Sequence, residues 1–220
     1  MSQKIKNNEG FSQEFLYQVK NIRIAFNLFI VSLCILKDKN FIKGFPGKYA
    51  VLGYDKENQN TMLFLNSFTD NPLGRQLLYP KSCVWYELDN FLEDFINSSQ
   101  SNLYLDGYVK LNASSFITLM YESFKNDNKR YEEVKKEAWF VMLANLRHNI
   151  TAHGIDMMWG EIKNYEIEKI SYKRMFDEKE ITIDTSLNGK GFEFDHIGGL
   201  ITLLDMGEYI ENFVLSKIND

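Results

Sequence analysis

The sequence predicts a mainly α-helical protein, a helical bundle that carries a small antiparallel β insertion before its last helix. All three prolines lie between residues 46 and 80, so the rest of the chain is free to form long helices. Alternation with period two, which is typical of strands, is concentrated at about 160–195. The three- and four-residue spacing of one helix face recurs in four segments: 12–37, 114–124, 129–151 and 197–218.

The chain length of 220 residues suits a single domain. We expect that domain to span 1–220, with a helical core over about 11–155 and 196–218 and the β insertion between them.

The first predicted helix, 12–37, has an unusually wide apolar surface. Its main face contains Phe11, Phe15, Ile22, Phe26, Phe29, Leu33 and Leu36. Leu16, Leu28, Val31 and Ile35 widen that face, which implies contact on more than one side. We therefore expect a homodimer. The apolar run 24–36 is 13 residues, too short to span a bilayer core of about 30 Å. No small-residue cleavage site follows it, which favours a buried helix over a targeting segment and a cytoplasmic location without membrane contact.

The segment from 48 to 96 is predicted to be mixed. Two short apolar runs, Tyr49–Leu52 and Met62–Leu65, flank a polar turn, and this order is typical of a hairpin. Trp85–Ile96 has helical spacing. The helix 114–124 that follows would take Asn112 or Ser114 as its N-cap.

The best helix signal in the chain is Lys129 to about Thr151, which is rich in strong helix formers. Gly154 would mark its end. Beyond it we expect three strands, with a turn at Asn188-Gly189, a dipeptide favoured in hairpins. Asp195 would cap the last helix. The predicted strands are Tyr165–Tyr172, Lys179–Asp184 and Phe192–Phe194.

Composition excludes several classes of protein. The formal net charge of −5 argues against a protein that coats nucleic acid, because such binding needs clustered positive charge. The high aromatic content, 15% of residues, excludes intrinsic disorder. The two cysteines suit a reducing compartment. No cluster has the spacing of metal ligands, so we expect no metal and no cofactor.

One short segment concentrates chemically useful side chains at the end of the helix 129–151. Arg147, His148 and His153 lie within seven positions, although the chain has only five arginines and three histidines. A structural alternative is that these are cations placed at the negative end of the helix dipole. Asn149 and His153, four positions apart, would share a helix face.

This segment resembles the HEPN superfamily. The matching string runs from Arg147 through His148 and Asn149 to His153 and Gly154: an arginine, a polar residue, a short gap, then histidine and glycine at a helix end. The resemblance implies a bundle of four or more helices. Many members are metal-independent ribonucleases of toxin–antitoxin, phage-defence and RNA-processing systems, and they commonly form the active site across a dimer. Other members have lost catalysis and act as interaction modules.

The resemblance implies a catalytic pair of Arg147 and His153. Histidine titrates near neutrality, so His153 could serve as general base or general acid. Arginine binds two phosphate oxygens at once and keeps its charge, so Arg147 would hold the phosphate. His148 and Asn149 would orient the substrate or a partner. The sequence therefore predicts RNA cleavage or RNA binding in a microbial defence or toxin system, with an operon-encoded protein as a further partner. The alternative is a non-catalytic helical module that binds a partner protein.

Overall fold

The computed structural model describes residues 10–37, 50–55, 60–65, 83–87, 101–151, 157–160 and 169–219. It confirms the mainly helical fold with a small antiparallel sheet before the last helix. The helices of the described part are α1 (Gln13–Lys37), α2 (Ser101–Lys125), α3 (Asn128–Val134), α4 (Ala138–Thr151) and α5 (Leu200–Asn219). Its strands are β1 (Ala50–Asp55), β2 (Asn60–Leu65), β3 (Cys83–Glu87), β4 (Lys169–Lys173) and β5 (Glu180–Asp184).

The backbone divides into two compact units. One unit comprises residues 1–31 and 107–220, and the other comprises residues 32–106. The single domain 1–220 stays a prediction.

Aromatic rings fill one end of the core of the first unit. The Phe124 ring of α2 meets the Phe15 ring of α1 edge-on at 5.0 Å and the Trp139 ring of α4 at 5.2 Å. Trp139 in turn lies 5.6 Å from Phe213 of α5. Offset and edge-on ring pairs add stabilisation beyond the area they bury. Aromatic residues of the four helices α1, α2, α4 and α5 therefore converge in one cluster.

A glycine lets α5 cross the other helices at close range. A Cβ on Gly207 would lie 3.2 Å from Cγ of Arg23 on α1 and 3.3 Å from the ring of Phe116 on α2. Arg23 also pairs with Glu211 of α5, with 2.5 Å between Nε and Oε2. A larger residue at position 207 would push α5 away from this packed contact.

The described part of the β insertion contains two strands, and residues 161–168 lie outside it. Strands β4 and β5 pair antiparallel, with Ile170 opposite Ile183. The third predicted strand, Phe192–Phe194, is wrong: Met158 and Gly191 form an isolated bridge, and a 3-10 turn begins at Phe194. The turn at Asn188-Gly189 is confirmed, with Gly189 at a φ of +74°. Asp195 lies inside the 3-10 turn and does not cap α5, which begins at Leu200.

The second unit contains an antiparallel three-stranded sheet in the order β2-β1-β3. The predicted hairpin is confirmed, since β1 pairs with β2 from Ala50 opposite Leu65 to Asp55 opposite Asn60. The helix predicted at Trp85–Ile96 is wrong where it overlaps β3, whose Tyr86 lies opposite Leu52. The rest of that segment lies outside the described residues.

Two helix boundaries differ from the prediction. Helix α2 begins at Ser101, and Asn112 lies inside it, where its amide donates to the carbonyl of Tyr108 at 2.8 Å. The capping prediction is therefore wrong. The segment 129–151 is two helices, α3 and α4. Asp127 caps α3 by accepting the backbone N–H groups of Lys129 and Arg130.

Candidate functional site

Arg147 lies in α4 and reaches across to α2. Its Nη2 donates to Oε1 of Glu122 at 2.9 Å, and the two side chains are 38% and 32% exposed. The guanidinium carbon also lies 5.6 Å from the centre of the Tyr121 ring. Arg147 is thus held against α2 by an ion pair and by a ring, while more than a third of its side chain remains accessible.

A second cation lies beside the same ring. The ammonium group of Lys125 is 5.3 Å from the centre of the Tyr121 ring. The Tyr121 side chain raises the pKa of Lys125, Glu122 raises it further, and Arg147 opposes both. Lys125 therefore stays charged at neutral pH. Lys125, Arg147 and Glu122 therefore lie together beside Tyr121.

The Tyr121 ring that carries these cations is itself fixed. It is 8% exposed and stacks on Phe140 of α4, with 5.3 Å between the ring centres. Phe140 is buried. The ring can position Lys125 and Arg147, but its face is not open for stacking with a nucleic-acid base.

His148 and Asn149 have opposite environments although they are neighbours. His148 is exposed in the last turn of α4, where it is available to a ligand. Asn149 is 1% exposed. Its amide donates to the carbonyl of Asn145 at 2.7 Å and its carbonyl accepts the N–H of Gly160 at 2.8 Å. Asn149 therefore fastens the segment 157–160 to the end of α4.

His153, the proton-transfer residue of the predicted pair, lies outside the described residues. The structure places Arg147, His148 and Asn149 on one helix. It does not describe the distance from Arg147 to His153. The catalytic and substrate-orienting roles of all four residues stay predictions.

Sequence reasoning missed a buried polar cluster between the β4–β5 hairpin and α5. Asp205 is 5% exposed. Its carboxylate accepts the hydroxyl of Tyr172 at 2.6 Å and the backbone N–H groups of Met175 and Phe176 at 2.9 and 3.0 Å. Burial raises the pKa of Tyr172 well above its usual range, and Asp205 adds to the effect. The one available signal was an acidic residue beside the apolar stripe of the last helix.

Arg174 strengthens the same attachment. It is 4% exposed and pairs with Asp177 through two hydrogen bonds. Its Nη1 also donates to the carbonyl of Gly198 at 3.1 Å. A buried arginine with this many partners is a structural group. The cluster holds the tip of the hairpin on α5.

His196, the third histidine of the chain, is also structural. Its Nδ1 accepts the indole N–H of Trp159 at 2.9 Å and the backbone N–H of Glu193 at 3.1 Å. A ring nitrogen that accepts carries no proton, so the proton of the neutral ring resides on Nε2. These bonds secure the 3-10 turn that precedes α5.

Two broader features bear on function. Among the residues that the structure describes, no group of three or more His, Cys, Asp or Glu side chains could hold a metal ion. Within the same residues, one helix, α1 over Gln13–Ile35, is long and apolar enough to cross a membrane by length and composition alone. Core helices and signal sequences have the same properties, so the cytoplasmic location stays a prediction.

Comparison with protein-family models, with curated proteins and with solved structures finds no match. The likeness to the HEPN superfamily therefore depends on the residues of the segment 147–154.

Proposed function

We propose that this protein is a HEPN-like protein that cleaves or binds RNA without a metal ion, in a microbial defence or toxin system. The observation that carries the proposal is Arg147, whose side chain is 38% exposed, beside Lys125 and six positions before His153. Two cations at one surface position can bind phosphate oxygens, which is how proteins position nucleic acid. A single small site of this kind is compatible with an acidic protein.

The chemistry would use the RNA's own 2′-hydroxyl as nucleophile. A base takes the hydroxyl proton, the oxygen attacks the adjacent phosphorus, and an acid protonates the leaving 5′-oxygen. The products are a 2′,3′-cyclic phosphate and a 5′-hydroxyl. His153 would act as base or acid, and Arg147 would stabilise the charge that builds on the phosphoryl oxygens. A second copy of the chain would supply a second histidine, so that base and acid are both present.

A second candidate function is a non-catalytic module that binds a partner protein. Two contacts favour it: Arg147 already pairs with Glu122, and both polar groups of Asn149 are occupied by backbone. On this reading the segment stabilises the junction of α4 with α2, and an operon-encoded protein would bind elsewhere.

The test is cleavage of labelled RNA in the presence of EDTA. Wild-type protein should cut, and His153→Ala should lose about 10²–10⁴ in rate because a proton-transfer group is missing. Arg147→Lys should also cut RNA more slowly, because a lysine ammonium group cannot bind two phosphate oxygens in the bidentate manner of arginine. Lys136→Ala, which removes an exposed cation from the turn between α3 and α4, is the matched control and should retain full activity. RNA cleavage that depends on Mg²⁺ or Mn²⁺ would contradict the metal-independent mechanism. Full activity in His153→Ala would contradict the catalytic role of His153.

Glu122→Gln separates the two candidates. The ion pair with Arg147 is partly exposed, so its loss should cost only about 0.2–1 kcal/mol of stability. If Arg147 binds phosphate, the neutral glutamine should strengthen RNA binding, because Glu122 no longer competes with phosphate for the guanidinium. If Arg147 is structural, RNA binding should be absent in wild type and variant alike.

A further inference from the structure

Helix α1 carries two apolar rows on opposite faces. The inner row is buried and consists of Phe15, Val19, Phe26, Phe29 and Leu33. The outer row is exposed and consists of Tyr17, Ile24, Leu28, Val31 and Ile35. At about 100° per residue the two rows point in nearly opposite directions. The inner row packs in the core, as the stacked pair of Phe26 with Phe116 on α2 shows. The outer row faces away from that core.

The outer row has the spacing of a coiled-coil seam. With Asn21 included, its positions are 17, 21, 24, 28, 31 and 35, which alternate steps of four and three. These are the a and d positions of a heptad repeat, with 21, 28 and 35 at a and 17, 24 and 31 at d. Positions on one face of a helix recur at these steps, so what marks the row is that five of its six residues are apolar and exposed.

The size of the row matches what a stable interface needs. The exposed fractions are 65%, 39%, 65%, 57% and 40% for Tyr17, Ile24, Leu28, Val31 and Ile35. They correspond to roughly 450–500 Å² of side-chain surface, at the upper part of the range for the largest apolar patch on a monomer. A standard interface buries about 800 Å² per partner, of which about 65% is apolar in homodimers, so roughly 500 Å² is required.

We propose that a second copy of this chain covers the outer row, as a parallel pair of α1 helices. In a parallel pair each a residue lies opposite the same residue of the second copy. Asn21 therefore meets the second copy's Asn21, and the two amides can hydrogen-bond. In an antiparallel pair Asn21 would face an apolar d residue and lose its partner. One polar asparagine at an a position is a known device for fixing register and strand number. Among the flanking e and g positions only Lys20 is charged, so like charges do not accumulate along the seam.

A lipid surface is the less suitable occupant. Interfacial helices are typically rich in lysine and arginine on the polar face. The opposite face of α1 is instead the buried aromatic row, which is committed to the core.

The first experiment measures mass in solution by light scattering at tens of micromolar protein. Wild type should give twice the chain mass of 25.8 kDa. Leu28→Glu/Val31→Glu places like charges opposite each other in the seam and should raise the dimer dissociation constant at least about 100-fold. The matched control is Leu111→Glu/Leu119→Glu on α2, whose leucines are 67% and 56% exposed; it should remain dimeric. A monomeric wild type would overturn the proposal, and so would dissociation of the control.

A second experiment tests orientation and the lipid alternative. In a Cys34→Ser background, Val31→Cys should form a disulfide-linked dimer on mild oxidation, because d residues of parallel helices face each other. The Cys34→Ser protein alone should not. Absence of the cross-link in a protein that scatters as a dimer would overturn the parallel arrangement. Co-sedimentation of wild type with phosphatidylcholine–phosphatidylglycerol vesicles, lost in Leu28→Glu/Val31→Glu, would assign the surface to a membrane.

This inference goes beyond the proposed function and depends only on α1. If RNA is cut and wild type is monomeric, the seam is wrong while the ribonuclease stands. If wild type is a dimer through α1 and no RNA is cut, the seam stands without the catalytic function.

Discussion

Replacing Asn149 by alanine should destabilise the protein. The Asn149 side chain is buried and makes two hydrogen bonds to backbone, at 2.7 Å to the carbonyl of Asn145 and at 2.8 Å from the N–H of Gly160. Each bond contributes about 0.5–1.5 kcal/mol net, and a buried N–H left without an acceptor costs about 1–3 kcal/mol. We therefore expect a loss of about 2–4 kcal/mol in the free energy of unfolding.

The assay is thermal unfolding followed by far-UV circular dichroism at pH 7. For a chain of this length 1 kcal/mol lowers the melting temperature by about 2–4 °C, so Asn149→Ala should melt about 4–16 °C below wild type. Asn149→Asp keeps an acceptor for the N–H of Gly160, so its melting temperature should lie between those of wild type and Asn149→Ala. His148→Ala, at the exposed neighbouring position, should melt within about 2 °C of wild type. A melting temperature of Asn149→Ala as close to wild type as that of His148→Ala would contradict a stabilising role for these two hydrogen bonds.

Three further predictions concern stability. Asp205→Asn should cost about 2–4 kcal/mol, because an amide cannot accept all the bonds that the buried carboxylate receives; Glu178→Gln, at a side chain 79% exposed, should cost almost nothing. Between pH 9 and 11.5, wild type should lose stability faster than Tyr172→Phe. The raised pKa keeps Tyr172 neutral in the folded chain while tyrosine ionises near pH 10 in the unfolded chain, so stability falls as pH rises. Asp127→Ala should cost about 0.5–2 kcal/mol at pH 7, and Asp127→Asn much less, since asparagine is an equal N-cap.

Denaturant unfolding at several pH values measures all three. The backbone N–H groups of Arg130 and Lys129 lower the pKa of Asp127, so its contribution is present above the usual aspartate pKa and disappears as pH falls through the lowered value. An Asp127→Ala deficit that grows below pH 3 would contradict this cap. Equal high-pH slopes for wild type and Tyr172→Phe would contradict the burial argument, and an unchanged stability in Asp205→Asn would contradict the attachment of the hairpin to α5.

Much of the fold follows from local pattern. The inner row of α1, the hairpin of β1 and β2 and the strands β4 and β5 were predictable because periods of 3.6 and 2 record which face is buried. Trp85–Glu87 was wrongly predicted to be helical because the apolar residues that follow it have helical spacing. Its own residues suit a strand, and pairing with β1 makes them part of β3. No glycine or proline lies at the break between α3 and α4, so the sequence did not predict that break.

The candidate site was only partly predictable. Rarity of arginine and histidine was enough to single out Arg147, but the Glu122 that pairs with it comes from a different helix, 25 positions earlier. The burial of Asn149 and the contacts of Asp205 depend on tertiary packing, which periodicity does not encode. Polar residues at helix ends look alike in sequence whether they bind a ligand or the protein's own backbone.

The most direct test of the central claim is expression in a bacterial host, with growth and total RNA compared for wild type, His153→Ala and Lys136→Ala. Wild type and Lys136→Ala should slow growth and fragment RNA, and the fragments should end in 2′,3′-cyclic phosphate. His153→Ala should accumulate to the same level, leave RNA intact and permit normal growth. Intact RNA with folded wild-type protein, or fragmentation that persists in His153→Ala, would contradict the claim that Arg147 and His153 form a metal-independent ribonuclease site.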